Sequence, residues 1–123
     1  MQYLVQLKLV AQGRPTTRDE GLAFIEQVIL PSLEMCEKMR EEKKILAGGP
    51  ISGTIGIVMI VDADSALELD EIIARLPIWP RAEVNITPLT TFEDRAEVIA
   101  KAIRPRLEQL KAQTQGTEAS GGW

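Results

Sequence analysis

Two alternating stretches frame this chain. Near the N-terminus, "QYLVQLKLV" sets Tyr3, Val5, Leu7 and Leu9 on one face and Gln2, Leu4, Gln6 and Lys8 on the other. That is the pattern of a strand with one apolar and one mixed side. Farther on, "RAEVNITPL" alternates again, with Ala82, Val84 and Ile86 against Arg81, Glu83, Asn85 and Thr87. Between them, "KILAGGPISG" reads as a short strand and a glycine-proline turn. "TIGIVMIVDAD" is apolar at Ile55, Ile57, Val58, Met59, Ile60 and Val61 without alternation, as expected of a strand covered on both faces.

Helical spacing fills the gaps. Thr17 with Glu20 reads as a capping box, followed by a stripe of Leu22, Ile25, Ile29, Leu33, Cys36 and Met39. Pro31 lies inside that stripe and is expected to kink or split the helix, because it removes a backbone donor and crowds the preceding turn. Lys43 and Lys44 suit its C-terminus, where the helix dipole is negative. Ser65 and Glu68 open a second helix, with Leu69, Ile72, Ile73 and Leu76 as its stripe and Pro77 as its stop. Thr90 and Glu93 start a third, which carries Phe92, Ile99, Ile103, Leu107 and Leu110 and is bent or ended at Pro105. These features define one domain over residues 1–112, with 113–123 as a flexible polar tail. Trp123 is either a docking anchor or a tail residue without a role. No internal repeat stands out.

The order strand-helix-strand-strand-helix-strand predicts an α+β, ferredoxin-like βαββαβ fold with an antiparallel four-stranded sheet and a C-terminal helix. The expected spatial order is fourth, first, third, second strand, with both main helices on one face. The third strand is apolar on both sides, so the open face needs a cover. A second copy packed sheet to sheet, giving a dimeric α/β barrel, is the economical cover. The terminal helix folding back is the alternative.

Composition narrows the chemistry. The net charge of −4, without a Lys/Arg stripe, argues against a nucleic-acid partner. No apolar run reaches the length of a membrane span. Cys36 is the only cysteine, which suits the cytoplasm, and its place on the apolar stripe makes it a buried, inert thiol. Histidine is absent, which removes the commonest general base and the usual metal ligand. "AGGP" reads as a turn rather than a phosphate loop, and "EKMREEKK" as a solvated helix end.

The segment "RLPIWPRAEVNITPL" resembles the muconolactone isomerase family, in which a helix ends in Leu-Pro, an apolar-aromatic pair and Pro before the last strand. The resemblance covers residues 1 to about 90 in element order and spacing. "KILAGGPISG" is similar to the YciI-like proteins of the same superfamily. The resemblance implies a cofactor-free enzyme fold, a homodimer or ring of dimers, and a small carbonyl or lactone ligand. In muconolactone isomerase itself, a proton shifts within an unsaturated lactone during aromatic-compound breakdown. Its first strand carries a histidine and a lysine where this chain has Leu4 and Gln6. The YciI-like histidine-aspartate pair has no counterpart here.

The mixed faces of the first and last strands hold the candidate site. Antiparallel pairing places Gln6 and Lys8 near Glu83 and Asn85 on the face away from the helices, which borders the lumen of a barrel dimer. The alternative is a cross-strand ion pair worth roughly 0.2–1 kcal/mol. For an isomerase, Glu83 is the candidate base, strengthened by desolvation. Lys8 or Arg81 would stabilise an enolate oxygen, and Gln6 or Asn85 would orient the substrate. Trp79, held extended between two prolines, would wall the pocket mouth or pack in a core or subunit interface. A non-catalytic binding protein and a cofactor-free monooxygenase are the other readings.

Overall fold

The computed structural model describes residues 1–114; Gln113 and Thr114, the first two residues of the expected tail 113–123, are helical, and the rest of that tail, including Trp123, lies outside the described residues. The described residues divide into two compact units, Met1–Leu89 and a second that begins at Thr90.

In the first unit, β1 (Gln2–Leu9), β2 (Ile45–Pro50), β3 (Gly56–Asp62) and β4 (Ala82–Leu89) form one antiparallel sheet in the order β2-β3-β1-β4. This is the order the alternation and crossover rules predict. Tyr3, Val5 and Leu7 of β1 and Ile57, Met59 and Val61 of β3 are buried together with Met39, Leu69, Ile72, Ile73, Leu76 and Ile78. The opposite face of β3 carries Val58 and Ile60, only half-buried. Within this unit the sheet is therefore helix-covered on one side and open on the other. β2 enters β3 through a register shift between Ile45 and Ala47, followed by Gly48 at φ +126°. The turn lies beyond "AGGP", because β2 continues through Pro50.

The first helix is continuous but changes its winding. α1 (Arg18–Phe24) starts at Thr17, whose hydroxyl accepts the Glu20 N–H at 3.1 Å. The Glu20 carboxylate returns to the N–H and hydroxyl of Thr16, at 3.0 and 2.8 Å. A π-helical stretch, Ile25–Ile29, then leads into α2 (Leu30–Glu41). The Leu30 N–H donates five residues back to the Ile25 carbonyl. Pro31 neither breaks nor splits the helix, because the widened turn before it relieves the crowding that its ring would cause. The extra residue turns the helix by about 100° and shifts the apolar stripe. Leu22 and Ile25, expected on that stripe, are exposed, and Phe24 and Ser32 take buried positions. α2 ends at Lys43 in the left-handed region, with Lys43 N–H on the Arg40 carbonyl and Lys44 N–H on that of Met39. This closes the helix as a Schellman motif.

α3 (Ala66–Ala74) is capped by Ser65, and its Leu69, Ile72 and Ile73 are buried as the spacing predicts. The segment after it differs from expectation. The prolines do not hold the chain extended. Leu76 through Arg81 coils through turns into a 3-10 turn, Trp79–Arg81, since the φ fixed by proline suits that winding equally well. Ile78 is the buried anchor at 2% exposure, whereas Trp79 is 45% exposed. The Ile78 N–H donates to the hydroxyl of Ser32, itself 1% exposed, at 3.1 Å. That bond ties the proline segment to α2.

The second unit contains α4 (Phe92–Val98), a π-helical stretch Ile99–Ile103 and α5 (Arg104–Thr114). Thr91 is its cap, one residue later than the sequence suggests, and its hydroxyl accepts the Asp94 N–H at 3.1 Å. Glu97 and Lys101 pair along one face. Of the expected apolar stripe, Phe92 is 98% exposed, Ile99, Ile103 and Leu110 are exposed, and Leu107 is half-buried.

Candidate functional site

The pairing of β1 with β4 sets the polar cluster. Gln6 lies opposite Asn85 and Lys8 opposite Glu83 in the same antiparallel register. All four alternate away from the buried residues Val5 and Leu7, so they share the open face with Leu4, Val58 and Ile60. Gln6 is half-buried, and Lys8, Glu83 and Asn85 are exposed. No ion pair within 4.0 Å joins Lys8 to Glu83. An acid, a cation and two amides therefore stand beside an apolar strip, each free to meet a ligand or a second sheet.

Arg81 and Trp79 do not join this cluster. β4 begins at Ala82, and the period-two rule that would align Arg81 with Glu83 fails in the 3-10 turn before it. The guanidinium carbon of Arg81 stands 5.0 Å from the ring centroid of Phe24, over a residue of the helix-covered side. There it borders an open cleft of about 540 Å³, with Arg14, Glu20 and Gln27 among its walls. Hydrogen bonds from the N–H and hydroxyl of Thr16 hold the Glu20 carboxyl below the usual carboxylate range, and the Arg81 charge adds slightly. Phe24 and Arg14 were not singled out from the sequence; the shifted helix phase hid the first, and a turn-breaking setting, "GRPT", the second. Cys36 is partly buried, and burial pushes its thiol pKa up, away from nucleophilic use. Among the described residues, no group of three or more Cys, Asp or Glu side chains is placed to hold a metal ion, and no helix is long and apolar enough to cross a membrane.

An antiparallel β2-β3-β1-β4 sheet with two crossover helices on one face, and a mixed polar cluster on the other, defines an α+β protein of the ferredoxin-like class. The chain belongs to the muconolactone delta-isomerase family, whose sequence model matches residues 1–95. A crystal structure of muconolactone isomerase is similar with a TM-score of 0.62 at 19% identity, over 74% of this chain and 90% of that one. The 5-chloro-2-hydroxyhydroquinone dehydrochlorinase of Burkholderia phenoliruptrix, solved in complex with 2,5-dihydroxybenzoquinone, is similar with a TM-score of 0.56 at 19% identity. That likeness covers 76% of this chain and 98% of the other. At such identity the two structures bear on the fold alone. No curated protein sequence matches the chain.

Proposed function

We propose that this muconolactone isomerase-like protein is a cofactor-free isomerase that moves a proton within a small unsaturated lactone or related carbonyl compound. The observation that carries this reading is the pairing of Lys8 with Glu83 beside Gln6 and Asn85 on the open sheet face. Family membership supports it. Glu83 takes a proton from the carbon beside the carbonyl, and the electron pair moves onto oxygen as an enolate. Lys8 stabilises that oxygen, while Gln6 and Asn85 hold the ring. Glu83 returns the proton at the conjugated carbon, so composition is unchanged and no co-reactant is needed.

On a single subunit Glu83 faces water, so the reaction needs the site enclosed. In this reading a second copy supplies the cover, sheet against sheet, over Leu4, Val58 and Ile60. In this reading residues 1–112 are the working domain. Sedimentation at micromolar concentration is expected to show a dimer or a larger closed assembly; a stable monomer overturns the cover.

The chemistry is tested by deuterium uptake from solvent into a panel of butenolide-type lactones. The parent protein is expected to catalyse uptake into at least one, and Glu83→Gln to lower it by roughly a hundredfold or more, as loss of a general base does. The melting temperature should hardly change. Uptake that survives Glu83→Gln assigns the base wrongly. Absence of uptake with the parent protein favours a binding protein on the same fold, the reading to which the missing histidine already points.

A further inference from the structure

The cleft at Arg81 takes no part in the chemistry proposed for the open face, yet it is built with some care. After β1 the chain folds back, so that the Val10 N–H donates to the Arg81 carbonyl and the Gly13 N–H to the Val10 carbonyl, each at 3.0 Å. Gly13 lies so close that a Cβ there would fall 2.7 Å from the Arg81 carbonyl oxygen and 2.9 Å from the Arg81 Cβ. Only glycine permits that approach, and it pins the Arg81 backbone against the loop that carries Arg14. The Arg81 guanidinium in turn stands over Phe24, which is 4% exposed and floors the cleft. That contact uses the cation's charge and none of its five N–H donors.

The charges define the occupant. Arg14 and Arg81 face one carboxylate, Glu20, which already accepts from the N–H and hydroxyl of Thr16. Among the described residues, neither guanidinium lies within 4.0 Å of a carboxylate or hydrogen-bonds to a protein group. One positive charge is thus in surplus, with free planar donors suited to a carboxylate. Val10, Val28, Pro80 and Phe24 give the same cleft apolar walls. A volume of about 540 Å³ accommodates a small ring. A dianion would meet Glu20 with too little compensation, and a neutral ring would leave both arginines unused.

We propose that this cleft binds a small planar monocarboxylate, its ring against the apolar walls and its carboxylate received by Arg81 and Arg14. The site is separate from Glu83 and does not depend on the isomerase reading. Benzoate is the probe, followed on the full chain by amide chemical shifts, with benzamide and inorganic phosphate as comparison ligands. Saturable shifts are expected at Gly13, Arg14, Phe24 and Arg81 with benzoate and not with the other two. Arg81→Met and Arg14→Met should each weaken benzoate roughly tenfold or more, the scale of a lost charged hydrogen bond. Should Arg81→Met fail to fold, Arg14→Met, at an exposed position, decides alone. Benzoate affinity in Glu83→Gln should equal that of the parent. The proposal is overturned if benzoate gives no saturable shifts at millimolar concentration, if benzamide binds as well, if the arginine variants bind undiminished, or if Glu83→Gln loses the affinity instead.

Discussion

Gly48→Ala is expected to destabilise the protein by about 2–4 kcal/mol, and Gly49→Ala, one residue on, by almost nothing. Gly48 sits at φ +126°, where L side chains are strained, and a Cβ there would fall 2.2 Å from the Val58 carbonyl oxygen and 2.6 Å from the Met59 Cα. Those atoms belong to the central strand β3 and cannot retreat without breaking its pairing with β1. At Gly49 a Cβ meets nothing within 4 Å. Urea denaturation of the two variants, at equal protein concentration, measures the contrast. Equal losses would mean that the register shift in β2 is not where the strand is held. Because β2 is an edge strand, a weakened Gly48 variant should also expose the β3 edge and aggregate more readily.

Ile78→Ala should cost about 2–5 kcal/mol, and Trp79→Ala much less in the same experiment. The side chain of Ile78 is enclosed by the core that α3, β1 and β3 share, whereas nearly half of Trp79 faces solvent. The Ile78 N–H is also fixed by the buried Ser32 hydroxyl. Removing the side chain leaves a cavity beside that bond, so the loss should lie toward the upper part of the range. A Trp79→Ala variant as unstable as Ile78→Ala would show that the indole is buried in the assembled protein, by a surface absent from one subunit.

Much of the architecture is legible in the sequence because it rests on period-two patterns and crossover geometry. Gln6 opposite Asn85, and Lys8 opposite Glu83, follow from two alternating strands that must keep their apolar sets on the same face. Fine placement fails where the backbone leaves a regular period. Arg81 is two residues before Glu83, and alternation would put both on one face; the 3-10 turn ends between them. Pro77 and Pro80 set their own φ, a value shared by extended chain and 3-10 winding, so they do not decide between the two. The double glycine at 48–49 reads as a turn, although only the first residue has positive φ and both remain in β2. Helix phase is the third case. A uniform 3.6-residue period assigns Leu22 and Ile25 to the core, but one wide turn places Phe24 there instead.

That wide turn occurs twice, with the same measure. From Thr17 and from Thr91 the chain runs seven α-helical residues, five π-helical ones, one more, and then a proline. Leu30 and Arg104 reach back to Ile25 and Ile99 in corresponding bonds. Each π turn works as one surplus residue in the helical count, so the rod before it and the rod after it keep different bearings. In the first helix the earlier rod points Phe24 into the Arg81 cleft, and the later rod delivers Met39 to the sheet. Length changes are consequently not equivalent along these helices. Deleting one residue within Ile25–Ile29 would let the rod close into even winding while swinging one bearing onto the other. The same deletion within Arg18–Phe24 would keep the wide turn and instead rotate the residues before the deletion by about 100° relative to those after it.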